Sequence, residues 1–165
     1  MRLFNRRRRQ WDEQPTAPCE TLLAGDGRRP FSERAIAEAI ARSGAGPIAV
    51  ATIARIHGTQ FGLPNPGLMP TKQEMAERQG WLGDAVAAIQ AAGLEADGQI
   101  AVTRKTTKSL ARIARARGVR LIVIDETAYT GWRRFVEGDT GAELAKRLRV
   151  DGIDVHIVPS APAGR

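Results

Sequence analysis

The chain of 165 residues is poor in the side chains that most chemistry needs: it has one cysteine, two histidines, three Trp, one Tyr and four Phe. The single Cys19 excludes an internal disulfide and fits a reducing compartment. His57 and His156 are far apart, no His or Cys falls at metal-ligand spacing, and there is no Gly-x-Ser-x-Gly or Walker A pattern. These absences predict neither a metal site nor a catalytic set, and the chain is read as a non-enzyme. It also lacks long hydrophobic runs. Nothing approaches the roughly 18 apolar residues of a transmembrane helix, and the arginine-rich start has no apolar stretch of the secretory kind. A cytoplasmic protein is expected.

Acidic residues are in the minority, 18 against 25 lysines and arginines, for a net charge of +7. Much of that excess is local. Arg2, Arg6, Arg7, Arg8 and Arg9 supply five positive charges, Asp12 and Glu13 follow, and the rest of the chain is left at +4. Residues 1–18 have no periodicity and read as a disordered basic arm, solvated by default. Leu3, Phe4 and Trp11 flank the arginines, so the arm could lie on an anionic membrane surface or an acidic partner. Residues 19–159 read as one domain, and residues 160–165 as a flexible tail of small residues.

Within the domain, apolar runs alternate with helical patterns. Glu20 to Gly25, Pro47 to Ile56, Gln99 to Thr103, Leu121 to Ile124 and Asp154 to Val158 read as strands. Between them, Ser32 opens a helix with Ile36, Ala39 and Ile40 on one stripe, and Thr71 with Glu74 forms a capping box for a helix ending near Ala92. Lys105 to Lys108 open a basic helix that ends at Arg117-Gly118. Leu110, Ile113 and Ala114 are its expected buried face, and Arg112, Arg115 and Arg117 its solvated one. The order predicts an α/β fold, a single doubly wound domain whose five-stranded, mostly parallel sheet carries helices on both faces. The segment 57–70 is rich in Gly and Pro yet holds Phe61, Leu63, Leu68 and Met69. It either covers a site, meets a partner or folds back on its own domain.

The stretch Val119 to Gly141 is the focus of the functional reading. A buried parallel strand runs into a glycine-punctuated loop, and Thr140 with Glu143 stands in a second capping-box relation, so a helix N-terminus is expected to face back toward the loop. Strand, loop and helix N-terminus make an anion-binding layout. Asp26 ends the first strand. It either caps the turn there or holds the base or ribose of a nucleotide.

Three stretches together give the chain its resemblance to the universal stress proteins of the UspA class: TLLAGDG at Thr21 to Gly27, LIVI at Leu121 to Ile124 followed by Thr130-Gly131-Trp132-Arg133-Arg134 before Gly138, and VHIVP near the end. The resemblance spans nearly all of residues 19–159 and implies a Rossmann-like domain of the adenine-nucleotide alpha-hydrolase kind. It also implies a site. ATP-binding members of that family hold the phosphates on a loop Gly-x2-Gly-x9-Gly-Ser/Thr. One register puts Asp125, Ala128, Gly138 and Asp139 at those positions, and the other puts Ala128, Gly131, Gly141 and Ala142 there. Both lose the first glycine and the terminal hydroxyl. The first also sets the carboxylates of Asp125 and Asp139 where phosphate would lie, while Thr140, Arg133 and Arg134 could partly compensate. The turn after the third strand, Arg104-Lys105-Thr106-Thr107, departs from the family's usual Gly-Asp/Asn-Pro-like sequence.

The nucleotide residues carried over are thus Asp26, Ala128, Gly131, Gly138, Asp139, Thr140 and Gly141, with ATP expected to bind weakly or not at all. The implied function is a non-catalytic stress-response regulator acting through protein partners. The family commonly pairs through its last strand, so a homodimer through Val155 and Ile157 is expected. Two alternatives stand beside it: an ATP-binding switch, and a soluble accessory subunit of a membrane protein docked by Arg6 to Arg9, Trp11 and Phe61. Nucleic acid ranks last as a partner, because the basic charge sits in a short arm without a recognition helix.

Overall fold

In the computed structural model, which describes residues 17–56, 69–126 and 139–159, the apolar runs form five strands: β1 (Thr21–Gly25), β2 (Ile48–Arg55), β3 (Ala96–Thr103), β4 (Leu121–Glu126) and β5 (Asp154–Pro159). All pair in parallel in the order β3-β2-β1-β4-β5. Parallel strands need crossovers, and α1 (Glu33–Arg42), α2 (Lys72–Ala91), α3 (Thr106–Arg117) and α4 (Thr140–Leu148) lie between them in the chain. The doubly wound α/β domain expected from the sequence is the one observed.

Because side chains alternate across a strand, each strand feeds two cores. Leu22, Ala49, Ile53, Ile122 and Ile124 pack with Leu110, Ala114, Leu144 and Leu148 of α3 and α4. Leu23, Val50 and Val123 pack on the other face with Ala35 and Ala39 of α1 and Leu82, Ala85 and Ile89 of α2. The continuous apolar character of β1, β2 and β4 follows from this burial on both sides.

The helix starts depend on short side chains. The Ser32 hydroxyl accepts from the Ala35 amide at 3.1 Å. At α2, Thr71 and Glu74 form the full reciprocal box: the Glu74 amide donates to Thr71 Oγ1 at 3.1 Å, and the Thr71 amide to Glu74 Oε2 at 2.7 Å.

Three readings need correction. β3 begins at Ala96, ahead of the Gln99 start expected from the apolar run, because Asp97 and Gly98 are poor strand formers that tertiary packing overrides. A Cβ on Gly98 would lie 2.8 Å from Leu82 Cγ, so the glycine admits α2 against the strand. β4 likewise continues past Ile124 through Asp125 and Glu126, which keep the strand's pairing with β1 and β5. Arg117 is not on the solvated face of its helix: its side chain is 2% exposed, pairs with both carboxylate oxygens of Asp97 at 2.9 and 2.6 Å, and donates to the Ala17 carbonyl. A planar guanidinium can saturate its donors in this way and tolerate burial.

Gly27 closes the turn after β1 with φ +76°, and a Cβ there would stand 1.7 Å from the Ile53 carbonyl oxygen. No side chain fits without moving β2. Gly27→Ala should therefore lower stability by about 3 kcal/mol, while Gly80→Ala, in open space on α2, should raise it by roughly 0.5–1 kcal/mol. Urea unfolding of the two variants beside the natural chain checks both signs.

Candidate functional site

The strand order reverses between β1 and β4, and their carboxyl ends lie side by side with Gly25 opposite Asp125. Ligands of doubly wound sheets bind at such a switch point. Here it is populated by carboxylates.

Asp26 is buried, with 5% exposure, and its Oδ1 accepts from the Arg28 amide at 3.0 Å. That bond makes it the turn residue of the β1–α1 connection. Its position just past Gly25 also puts it at the switch point.

Asp125, which one register sets at a phosphate position, is engaged within the fold. As a strand residue it projects to the α1 side, where its carboxylate accepts from the Arg29 guanidinium and from the Ser32 amide at 2.5 Å. The side chain of Asp125 is 2% exposed. Its charge is thus met by a guanidinium and by the start of α1, and it presents no free anion to a ligand.

Glu126 projects to the opposite face, toward α4. Its Oε1 accepts from the Gly141 amide at 3.0 Å. Beside it Asp139, rather than Thr140, is the N-cap of α4, with Oδ1 accepting from the Ala142 amide at 2.9 Å. The box expected of Thr140 and Glu143 does not form. Aspartate and threonine are both good caps, one residue apart, and Asp139 takes the role. Glu143 instead accepts from the Thr107 hydroxyl at 3.2 Å and lies 3.5 Å from Arg147. The amides that would cradle a phosphate at this helix are filled by the protein's own carboxylates.

Gly141 makes that arrangement sterically feasible: a Cβ there would lie 2.8 Å from Ile157 Cδ1 and 2.9 Å from Glu126 Oε2. Burial raises the Glu126 carboxyl above its ordinary range and neighbouring Asp139 raises it further, while the Gly141 and Thr140 amides pull it part of the way back.

Of the remaining sequence candidates, Val155 and Ile157 on β5 are half-buried against the α3/α4 core. They lie on an edge strand. Ala128, Gly131 and Gly138, with Arg133 and Arg134, fall outside the described residues, as do Arg6, Arg7, Arg8, Arg9, Trp11 and Phe61. Among the described residues no group of His, Cys, Asp and Glu could hold a metal ion, and no helix is long and apolar enough to cross a membrane. The two residues that sequence reasoning passed over are Arg29 and Glu126. Alternation along β4 could have placed Glu126 on the α4 face. Arg29, in a loop, carries no such signal.

No family model and no curated protein sequence matches the chain. Solved structures do, and several are universal stress proteins. One from Archaeoglobus fulgidus is 17% identical with a TM-score of 0.59, over 86% of this chain and 93% of that one. A universal stress protein in complex with cAMP is 21% identical with a TM-score of 0.60, over 88% of this chain and 100% of that one. The Archaeoglobus fulgidus protein in complex with dAMP is 16% identical with a TM-score of 0.53, over 86% and 96%. The fold of this chain is the fold of those proteins.

An acid whose folded pKa is raised holds its proton longer in the folded state, so its contribution is favourable below its unfolded value and is lost as pH rises through the folded one. For Glu126 that window opens near the ordinary value of 4.5 and extends upward. Glu126→Gln keeps an oxygen for the Gly141 amide and removes the titration. Its stability relative to the natural chain should therefore grow as pH is raised from 4.5 toward neutrality. Parallel urea-unfolding profiles would show that the Glu126 charge carries no such cost.

Proposed function

We propose that this chain is a universal stress protein that works as a non-catalytic regulator through protein partners, with a nucleotide site whose phosphate end has been given over to its own carboxylates. The observation that carries the reading is the filling of the α4 N-terminus, where Glu126 takes the Gly141 amide and Asp139 the Ala142 amide. A triphosphate does not fit that end as it stands, because it would have to displace two hydrogen-bonded anions or lie against them. The shared fold supports membership of the family, as do the residues that carry the resemblance. Mg-ATP should bind the full-length chain with a dissociation constant weaker than about 100 μM, and one below about 10 μM would sink the reading. If the carboxylates are the barrier, the double variant Glu126→Ala, Asp139→Ser should bind at least about tenfold more tightly. Calorimetry on both proteins decides.

A second reading is a nucleotide-dependent switch. It is favoured by the position of Asp26 at the switch point and by the cAMP and dAMP complexes of two proteins of this fold. Nucleotide retained through purification and lost in Asp26→Ala would select it.

Partner use includes a second copy of the chain. β5 is an edge strand of the sheet, with Val155 and Ile157 only half-buried, and an edge backbone is a ready template for pairing. The chain should sediment as a dimer at micromolar concentration, and a proline in place of Val155 should shift it toward monomer without unfolding the core. Sedimentation of the natural chain as a monomer would remove the dimer from the proposal. Attachment to a membrane complex belongs here too, resting on the basic arm, and release from membrane fractions on deletion of residues 1–14 is its test.

A further inference from the structure

The cleft between the first turns of α3 and α4 belongs to the site already described. A second concavity, of about 950 Å³, runs along the exposed side of α3 beside the end of β3. None of Asp139, Thr140 and Glu143 lines it. The apolar part of its lining is Ile56, Val102 and Ala116. Val102 is 42% exposed, on a strand that pairs, among the described residues, only with β2.

The charged part of the lining is of one sign. Arg104, Lys105, Lys108, Arg112, Arg115 and Arg147 stand around the groove, and no aspartate or glutamate does. Arg115 is met by Asp151 at 2.8 Å and Arg147 by Glu143 at 3.5 Å. Arg104, Lys105, Lys108 and Arg112 are exposed and form no salt bridge with a described residue. Lys108, Arg112 and Arg115 repeat at helical spacing on the face of α3 that the core leaves uncovered, while Leu110, Ile113 and Ala114 pack inward. Like charges four apart oppose helix formation, so the fold alone does not favour this stripe.

No other part of the chain has the composition to neutralise it. The segments outside the described residues hold three acids, Asp12, Glu13 and Glu137, among eight arginines. A second copy brings the same net charge of +7.

We infer that the groove between β3 and α3 docks an acidic, extended segment of a partner protein, with carboxylates on Arg104, Lys105, Lys108 and Arg112 and an apolar side chain against Val102 and Ile56. The class of partner follows from the lining. An edge strand takes up an extended peptide through its backbone, while the flanking side chains select its sequence. Single-stranded nucleic acid is held by aromatic side chains that stack on its bases, and no aromatic residue lines this groove. A membrane surface is met by a helix with its apolar face outward, whereas that face of α3 is buried in the core. The inference rests on the reading of the chain as one that works through protein partners, and adds the surface and the chemistry of one.

The test titrates the full-length, ¹⁵N-labelled chain at low salt with a peptide of about ten residues in which glutamate alternates with valine and threonine. Saturable binding with a dissociation constant below about 100 μM, with the largest shifts at the Val102, Thr103, Lys108 and Arg112 amides, is the expected result. Arg112→Glu should weaken it at least about tenfold, and Lys108→Glu supplies the same comparison should the first variant fail to fold. Arg34→Glu, the same charge reversal at an exposed position of α1 on the other face of the sheet, should leave binding intact. Absence of saturable shifts up to about 1 mM peptide would overturn the inference, as would shifts centred outside the groove. Equal losses in the Arg34 variant would do the same by reducing it to diffuse attraction. Tighter binding of a thymidine oligonucleotide or of phosphatidylserine vesicles than of the peptide, lost in Arg112→Glu, would assign the groove to another class of partner and overturn it too. The wider reading fails separately: tight Mg-ATP binding would sink the reading of the nucleotide site whatever the peptide does, and a silent groove beside weak Mg-ATP binding would sink the groove alone.

Discussion

The end of β4 is the constraint on which the functional edge depends. Two consecutive carboxylates, Asp125 and Glu126, leave the sheet on opposite faces because strand side chains alternate, and each ends on a helix N-terminus. Asp125 takes the Ser32 amide and the Arg29 guanidinium, fixing the start of α1. Glu126 takes the Gly141 amide and fixes the start of α4. Helix amides without partners are costly to bury, and this pair satisfies them from within the chain on both sides of the sheet. The Glu126 bond also places a carboxylate at the edge where a doubly wound sheet ordinarily receives its ligand, while the Asp125 charge is met by Arg29.

That use of carboxylates divides the cleft. On the α4 side, burial favours the neutral form of Glu126, and the charge of neighbouring Asp139 favours it further. An incoming anion meets repulsion there. On the α3 side no acid caps the helix, and Lys105 and Lys108 add positive charge to a positive helix end, an arrangement that is unfavourable for the helix alone. The Thr107–Glu143 bond couples the two ends mechanically, so the position of α4 is linked to that of α3.

Much of this was legible in the sequence, and the limits are physical. Strands such as Leu121 to Ile124 announce themselves because burial on both faces demands unbroken apolar residues. The Thr71–Glu74 box was readable because both its partners are local. Gly27 belonged to a turn on sight, though only the structure shows the Ile53 carbonyl that forbids a side chain. What sequence could not supply were the partners brought by tertiary contact. Arg117 looked solvated because its acceptor, Asp97, comes from β3. The partners of Asp125 were hidden for the same reason, since Arg29 and Ser32 reach it from across the switch point. Thr140 and Asp139 offered adjacent caps of similar strength, and no local rule separates them.

Fold and helix-end chemistry answer to different constraints in this chain. Parallel strands buried on both faces constrain mainly volume and polarity, so a sequence 17% identical to the Archaeoglobus fulgidus protein retains the architecture. A phosphate cradle is held to a narrower standard, since one side-chain carboxylate in contact with the helix amides replaces the ligand outright. Glu126 takes the Gly141 amide and so satisfies the start of α4 from within the chain. Reopening the α4 end would leave the Gly141 amide without its present acceptor. The stability of this end of the fold therefore draws on donors for which an anion would have to compete.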